Sequence, residues 1–527
     1  MSQSLGSLAA FVFAFIYVYV FNPLSENDVP WSQFSTKTAY RHCSLRPYKD
    51  PLYMRPVQSL ASCKMIHVNA LFRHGTRSPS RKDTKKYKSL FERLLSNGDI
   101  KLPKGFRDQP VPFENHTDKG LLPRGFEEHH LLGQLFRSRM DHHMKVDMSK
   151  VQFYTSSVQR AIDSGRSFYH GFFGMPPLSS NYASNDCDSD GEPAKCPPPQ
   201  IKAERYKSIQ ESDRLLRFFD HCKRYVEEIE SNKSSVREYK RFRDGPEVRR
   251  VARGVMSRHL LTPTEFNESD VHLMYSVCSF EVAAETNPFK QRSPWCDFFR
   301  PTDLPIYEYM ADLKHYWLKS YGYELNYVQS CPLVGEMLSQ IRQAAYLYKT
   351  SRSEDRSARR VPQATFWFGH AETLLPVVAA LGLFNDSVGA SELQHLTADG
   401  FEHWQAKRRM NPPSPTMFRS GHIAPFAGNL ALQLYHCPNA VSIGVDDPWS
   451  GFFVEPLVNG QTVAWPLGGP VQPPTKEFPG ATFAPLDTVL SRLGSCMPGT
   501  FEEDKVCSLP EKLTTAVNTG TTEAPEE

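Results

Sequence analysis

Three short apolar runs end in the same way, and that repetition limits the folds open to this chain. Residues 65–72 run directly into Arg73-His74-Gly75. Residues 151–155 are followed by Ser156-Ser157, which reads as the cap of a helix reaching about Phe172 with Arg160 in its first turn. Residues 364–368 lead into Gly369-His370-Ala371-Glu372 and a helix from about Thr373. Each unit is a strand that delivers charged residues to the point where a helix begins. In an open α/β sheet such points gather at the carboxyl ends of the strands, where ligands bind. The predicted fold class is α/β: a three-layer α/β core carrying an inserted, mostly helical cap.

The rest of the chain sorts around those units. Residues 61–175 and 351–507 are assigned to the core. Residues 176–350 are assigned to the cap, because 213–230 and 304–318 repeat apolar residues at three- and four-residue spacing. Residues 181–199, rich in Asp, Ser, Gly and Pro, read as a loop that Cys187 and Cys196 could close, and 351–360 as a charged loop. The tail, 508–527, has the composition of a disordered segment. At the other end, the apolar run that starts at Leu8 and ends at Phe21 has the length of a signal-peptide core. Residues 1–24 are therefore read as a signal peptide or a signal anchor, the latter giving membrane attachment, with 25–60 as an extension.

Bulk properties exclude several classes. A net charge of +3 over 527 residues is too small to imply nucleic acid as a partner, so any cationic site must be local. A mean hydropathy of −0.47 argues against a multi-span membrane protein. Eleven cysteines, without paired zinc-type spacing, point to disulfides in the secretory pathway, with an odd thiol left over. Sequons at Asn115, Asn232, Asn267 and Asn385 are permitted glycosylation sites and no more.

The chemistry sits in the three clusters. Arg73-His74-Gly75-Thr76-Arg77-Ser78-Pro79 sets a histidine between two guanidiniums in a glycine-turned loop. Guanidiniums offer paired donors to phosphate oxygens. Their charge disfavours imidazolium, so His74 keeps a nucleophilic lone pair at lower pH than a free histidine. Arg160, at a helix start, is a third candidate cation. His370 can donate to a phosphoryl group. Glu372 can protonate a leaving alkoxide and later activate water, and repulsion by bound phosphate would raise its pKa. The basic run Arg81, Lys82, Lys85, Lys86 and Lys88 reads either as a solvated face or as a rim for further phosphates, with Arg81 best placed. Taken singly, each cluster also fits a solvated loop or a helix cap; it is their conjunction that points to phosphate chemistry.

On these residues the chain resembles the histidine acid phosphatases. The loop from Arg73 to Pro79 has their phosphatase form. His370-Ala371-Glu372, within Phe-Gly-His-Ala-Glu-Thr-Leu-Leu-Pro, is similar to the multiple inositol polyphosphate phosphatases, as are residues 215–222, 293–299, 312–326 and 418–437. The resemblance implies His74 as nucleophile through a phosphohistidine and Glu372 as proton donor. It implies Arg73, Arg77, Arg160 and His370 as the phosphate clamp, and catalysis without metal or cofactor. It implies disulfides Cys63–Cys437, Cys278–Cys296 and Cys496–Cys507. The implied substrates are small phosphate esters, inositol hexakisphosphate first and 2,3-bisphosphoglycerate second. A broad-specificity acid phosphatase and a non-catalytic phosphate-binding protein are the alternatives. The tail does not end in a Lys-Asp-Glu-Leu type signal, so secretion or surface display is expected ahead of residence in the endoplasmic reticulum lumen.

Overall fold

A computed structural model describes residues 33–40, 63–178, 206–207, 210–286, 293–350, 362–385, 396–409, 417–438, 448–466 and 482–509. The run from Leu8 to Phe21, the loop holding Cys187 and Cys196, the charged loop 351–360 and the tail beyond 509 lie outside the described residues. Among the described residues, no helix is long and apolar enough to cross a membrane.

The strands are β1 (Lys64–Arg73), β2 (Val151–Thr155), β3 (Tyr206–Lys207), β4 (Ala364–Gly369), β5 (Asn429–His436), β6 (Phe452–Val458), β7 (Gln461–Thr462) and β8 (Ala484–Pro485). They form one mixed sheet in the order β3-β2-β4-β1-β5-β6-β7, with β8 beside β6. β3, β2, β4 and β1 run parallel, and β5 returns antiparallel to β1. The register pairs Arg73 with Gly369 and Thr155 with Phe368, so the three strand ends finish at one level.

Both faces of the central strands are buried, which is why these runs read as nearly continuous apolar sequence. On one face, α2 (Pro123–His143) and α3 (Gln159–Phe172) pack Phe136 and Phe168 against Phe72, Phe366 and Phe368. α2 and α3 touch at glycines: a Cβ on Gly133 would lie 2.1 Å from the Phe168 carbonyl oxygen, and one on Gly171 1.9 Å from that of His130. On the other face, α6 (Cys331–Thr350) and α7 (Ala371–Ala380) bring Leu338, Ile341 and Leu374 against Leu71 and Trp367. A separate cluster joins α1 (Arg81–Ser96), α4 (Glu268–Ala284) and α5 (Leu304–Lys319) around Trp295 and Tyr307. Packing thus divides the molecule differently from the 176–350 boundary. Residues 216–229 and 331–345 cover the sheet, because a parallel sheet needs its second face closed, while α1 joins the helical cluster.

Some local expectations are corrected. Ser156 and Ser157 do not cap α3. Val158 holds the cap position, while Ser157 bonds Asp213 and Ser156 turns toward His370. The helix expected over 213–230 is broken into short pieces, with Cys222 extended between two of them. The reason is also the reason for the disulfide correction. Cys63–Cys437 and Cys278–Cys296 form, but Cys496 bonds Cys331, and Cys507 bonds Cys222. Gly335, one turn after Cys331 in α6, lies against the Cys496 carbonyl, which brings Cys331 to Cys496. The short helix Glu503–Cys507 docks through Glu503 on Arg214, which brings Cys507 to Cys222. Four disulfides among the described residues fit an extracellular or secretory-pathway protein.

Candidate active site

The strand ends converge through the backbone. The His74 N–H donates to the Gly369 carbonyl at 2.9 Å, and the Ser156 N–H to that of Phe368 at 2.9 Å. The loop after β1 is held from beneath by α2. Buried Glu128 accepts from the Thr76 N–H at 2.9 Å and from the Thr76 hydroxyl, and His129 Nε2 donates to the Arg73 carbonyl at 3.1 Å. Gly75 permits this approach, since a Cβ there would lie 2.6 Å from the Gly125 carbonyl oxygen. His74 is therefore bracketed on both sides by fixed backbone.

The hydrogen bonds settle the tautomers. His74 Nδ1 lies 2.9 Å from the Gly75 carbonyl, which can only accept, so Nδ1 carries the proton and Nε2 the lone pair. His370 lies with its ring centroid 5.6 Å from that of His74. Its Nδ1 accepts from Arg160 Nη2 at 3.4 Å, which leaves Nε2–H to donate to Ser156 Oγ at 3.0 Å. Burial, then the charges of Arg73, Arg160, His370 and Arg77, hold the His74 pKa well below the ordinary value. Burial and Arg160 bring His370 down to about 3. Both rings therefore stay neutral to lower pH than a free histidine does.

Three arginines surround them. Arg73 is anchored by donating to the carbonyls of Thr36 and Ala424, and its guanidinium lies 4.4 Å from the Phe426 ring centre. Arg77 donates to the Ser78 carbonyl at 2.7 Å and reaches the Phe280 ring at 5.8 Å. Arg160 stands in the first turn of α3. Burial pulls Arg73 down to about 9 and Arg160 to about 10, so both stay charged at neutral pH. The Nε atoms of all three are buried without a hydrogen-bond partner among the described residues. A group of cations with unused donors suits an anion.

Glu372 stands in the first turn of α7 and forms an ion pair with Lys319 at the end of α5. Burial pushes its pKa up, but the charge and hydrogen bond of Lys319, with His370, outweigh that and hold the carboxyl well below the usual range. The sequence argument has bound phosphate raising this pKa; in the structure Lys319 acts in the opposite direction. The Glu372 side chain is 38% exposed and that of Lys319 15%. Arg81 lies exposed at the start of α1, where Asp118 holds its backbone N–H. Lys82, Lys85, Lys86 and Lys88 are also exposed, and Lys88 is paired with Glu114.

The structure thus gathers His74, Arg73, Arg77, Arg160, His370 and Glu372. Sequence reasoning missed Ser156 as the partner of His370, Glu128 and His129 as supports of the loop, and Lys319 as the partner of Glu372. Lys319 stands in residues 312–326, one of the stretches that carry the resemblance; nothing local ties it to a residue 53 positions away. Among the described residues, no three His, Cys, Asp or Glu side chains stand together as a metal site.

The chain is similar to known proteins in sequence and in fold. The model of the histidine phosphatase superfamily (branch 2) matches residues 64–459. Multiple inositol polyphosphate phosphatase 1 of Gallus gallus is 30% identical over 416 residues, covering 78% of this chain and 81% of that protein. The Homo sapiens protein of the same name is 28% identical over 459 residues, 83% of each chain. The fold is similar to that of Bifidobacterium longum multiple inositol polyphosphate phosphatase in complex with inositol hexasulfate. There the TM-score is 0.59 at 16% identity, covering 88% of this chain and 97% of that one.

Proposed function

The chain belongs to branch 2 of the histidine phosphatase superfamily, and from that premise we propose that it hydrolyses inositol polyphosphates such as inositol hexakisphosphate. It is a phosphatase of the histidine acid class, working through a phosphohistidine. In the proposed sequence, His74 Nε2 attacks the phosphorus of a monoester. The bond to the leaving oxygen breaks as Glu372 gives that oxygen a proton. Arg73, Arg77, Arg160 and His370 take up the charge on the three phosphoryl oxygens. Water, deprotonated by the Glu372 carboxylate, then attacks the phosphorus, releasing phosphate and returning neutral His74.

The observation that carries this reading is the His74 tautomer. With Nδ1 committed to the Gly75 carbonyl, Nε2 offers its lone pair among three guanidiniums whose Nε atoms have no partner among the described residues. For the substrate, the support is the named activity of the two relatives and the surplus of cations around one phosphate position. Within the secretory pathway, we place the protein as secreted, on the cell surface or in the endoplasmic reticulum lumen.

The test is phosphate release from inositol hexakisphosphate and from a simple phosphomonoester, across acid to neutral pH. Preference for the inositol compound is expected. Activity confined to the simple ester would leave the chemistry standing and make the protein a broad-specificity acid phosphatase.

A further inference from the structure

Residues 33–40 precede the region matched by the family model, yet they are built into the active site. Gln33 accepts from the Tyr275 hydroxyl at 2.7 Å. Ser35 Oγ meets Ser420 Oγ at 2.6 Å, and Ser420 in turn bonds buried Asp312. The contact is close enough that a Cβ on Gly421 would lie 2.8 Å from the Ser35 carbonyl oxygen. The Thr36 carbonyl holds Arg73, and the Thr38 carbonyl accepts from the Phe426 N–H at 2.9 Å. Tyr40 N–H reaches Glu128, the residue that also fixes Thr76.

This docking fixes Lys37 between those anchors. Its Nζ donates to Ser276 Oγ at 2.8 Å and lies 5.0 Å from the centre of the Phe280 ring that Arg77 also approaches. Lys37 forms no ion pair with any described residue. Asp83 attracts it from a distance, while Arg77 and Lys314 repel it. Burial is the larger influence and brings its pKa down to about 8, which leaves it charged at acid to neutral pH. An ammonium with one hydroxyl partner, half-buried beside two further cations, keeps donors free for an anion.

We infer that Lys37 binds a phosphate of the substrate other than the one transferred to His74, with Lys314 flanking the same subsite. The inference rests on the polyphosphate reading above and gives the segment ahead of the family region a part in specificity. A lysine–phosphate contact of this kind changes affinity by about tenfold.

The experiment compares wild type, Lys37→Met and Lys37→Arg. It reads inhibition by inositol hexasulfate, the KM for inositol hexakisphosphate and the kcat/KM for p-nitrophenyl phosphate, with thermal melting as a check on folding. Lys37→Met is expected to weaken hexasulfate inhibition and raise the hexakisphosphate KM about tenfold. The p-nitrophenyl phosphate value should fall less than about threefold, and Lys37→Arg should restore inhibition. Equal losses on both substrates, or none on either, would overturn the role given to Lys37. Wild type that neither binds hexasulfate nor hydrolyses hexakisphosphate would instead overturn the polyphosphate reading, and this inference with it.

Discussion

On the strand side of the site, Arg73, Arg77 and Arg160 form no ion pair with a described carboxylate, and each keeps a buried Nε without a partner among the described residues. On the α7 side, Glu372 is already joined to Lys319. The two sides are therefore prepared differently. In the proposed mechanism the cradle takes an anion, and binding would relieve its repulsions. The acid is charged and satisfied, so it must gain a proton before it can serve a leaving group. The arginines and His74 are placed by the strand ends, whereas the protonation state of Glu372 depends on one lysine from another element.

The sharpest way to break the cradle is His74→Ala. Turnover should fall by at least about a thousandfold, since nothing else offers a lone pair to the phosphorus. Rapid quenching of wild type with ³²P-labelled substrate should trap a labelled phosphoenzyme. Wild type that turns over without accumulating label under any quench would remove the covalent step.

Breaking the other side gives a smaller and more selective loss. Glu372→Gln should slow alkyl esters, such as the inositol compounds, by about a hundredfold or more. It should slow activated aryl phosphates much less, because only the former need the proton. Parallel losses on both substrates would take the acid role from Glu372.

Smaller again is Ser156→Ala. It leaves His370 in place but removes the acceptor for Nε2–H, so the tautomer that accepts from Arg160 is no longer enforced. A drop in kcat of about tenfold with little change in KM is expected. A change confined to KM would show that Ser156 serves binding instead.

The two sides also differ in how far they could be read from sequence. The cradle was legible because each part lies within a few residues of a strand end, and strands in register bring strand ends together. Arg73, His74 and His370 needed only the assumption of a parallel sheet. What supports them was not legible: Glu128 and His129 hold the loop, and Ser156 fixes the His370 tautomer, from other elements through hydrogen bonds that leave no periodic trace. Lys319 and Lys37 were hidden for the same reason, as they reach the site only after α5 and the segment 33–40 dock. The cysteines show the limit plainly. Cys496 and Cys507 are near neighbours in sequence, but Gly335 and Arg214 draw them to different partners.

Lys319→Met gives the smallest change, and one pH profile judges both sides. His74 must be neutral to attack. Its pKa is lowered by burial, then by Arg73, Arg160, His370 and Arg77, so activity should be lost on the acid side only well below the ordinary histidine value of 6.5. Glu372 must be protonated to assist departure, so activity should fall on the basic side as that proton leaves. Lys319 depresses the Glu372 pKa; removing its charge must raise it, and the protonated acid then persists to higher pH. The basic limb of kcat should move upward in Lys319→Met. Just above the wild-type optimum the variant should be a few-fold faster relative to its own maximum. The acid limb should stay where it is, because Lys319 is not among the groups that shift His74. Movement of the acid limb alone would mean that the lysine acts on the cradle, and the division drawn between the two sides would fail. A static basic limb would mean that substrate phosphate, not Lys319, sets the proton on Glu372.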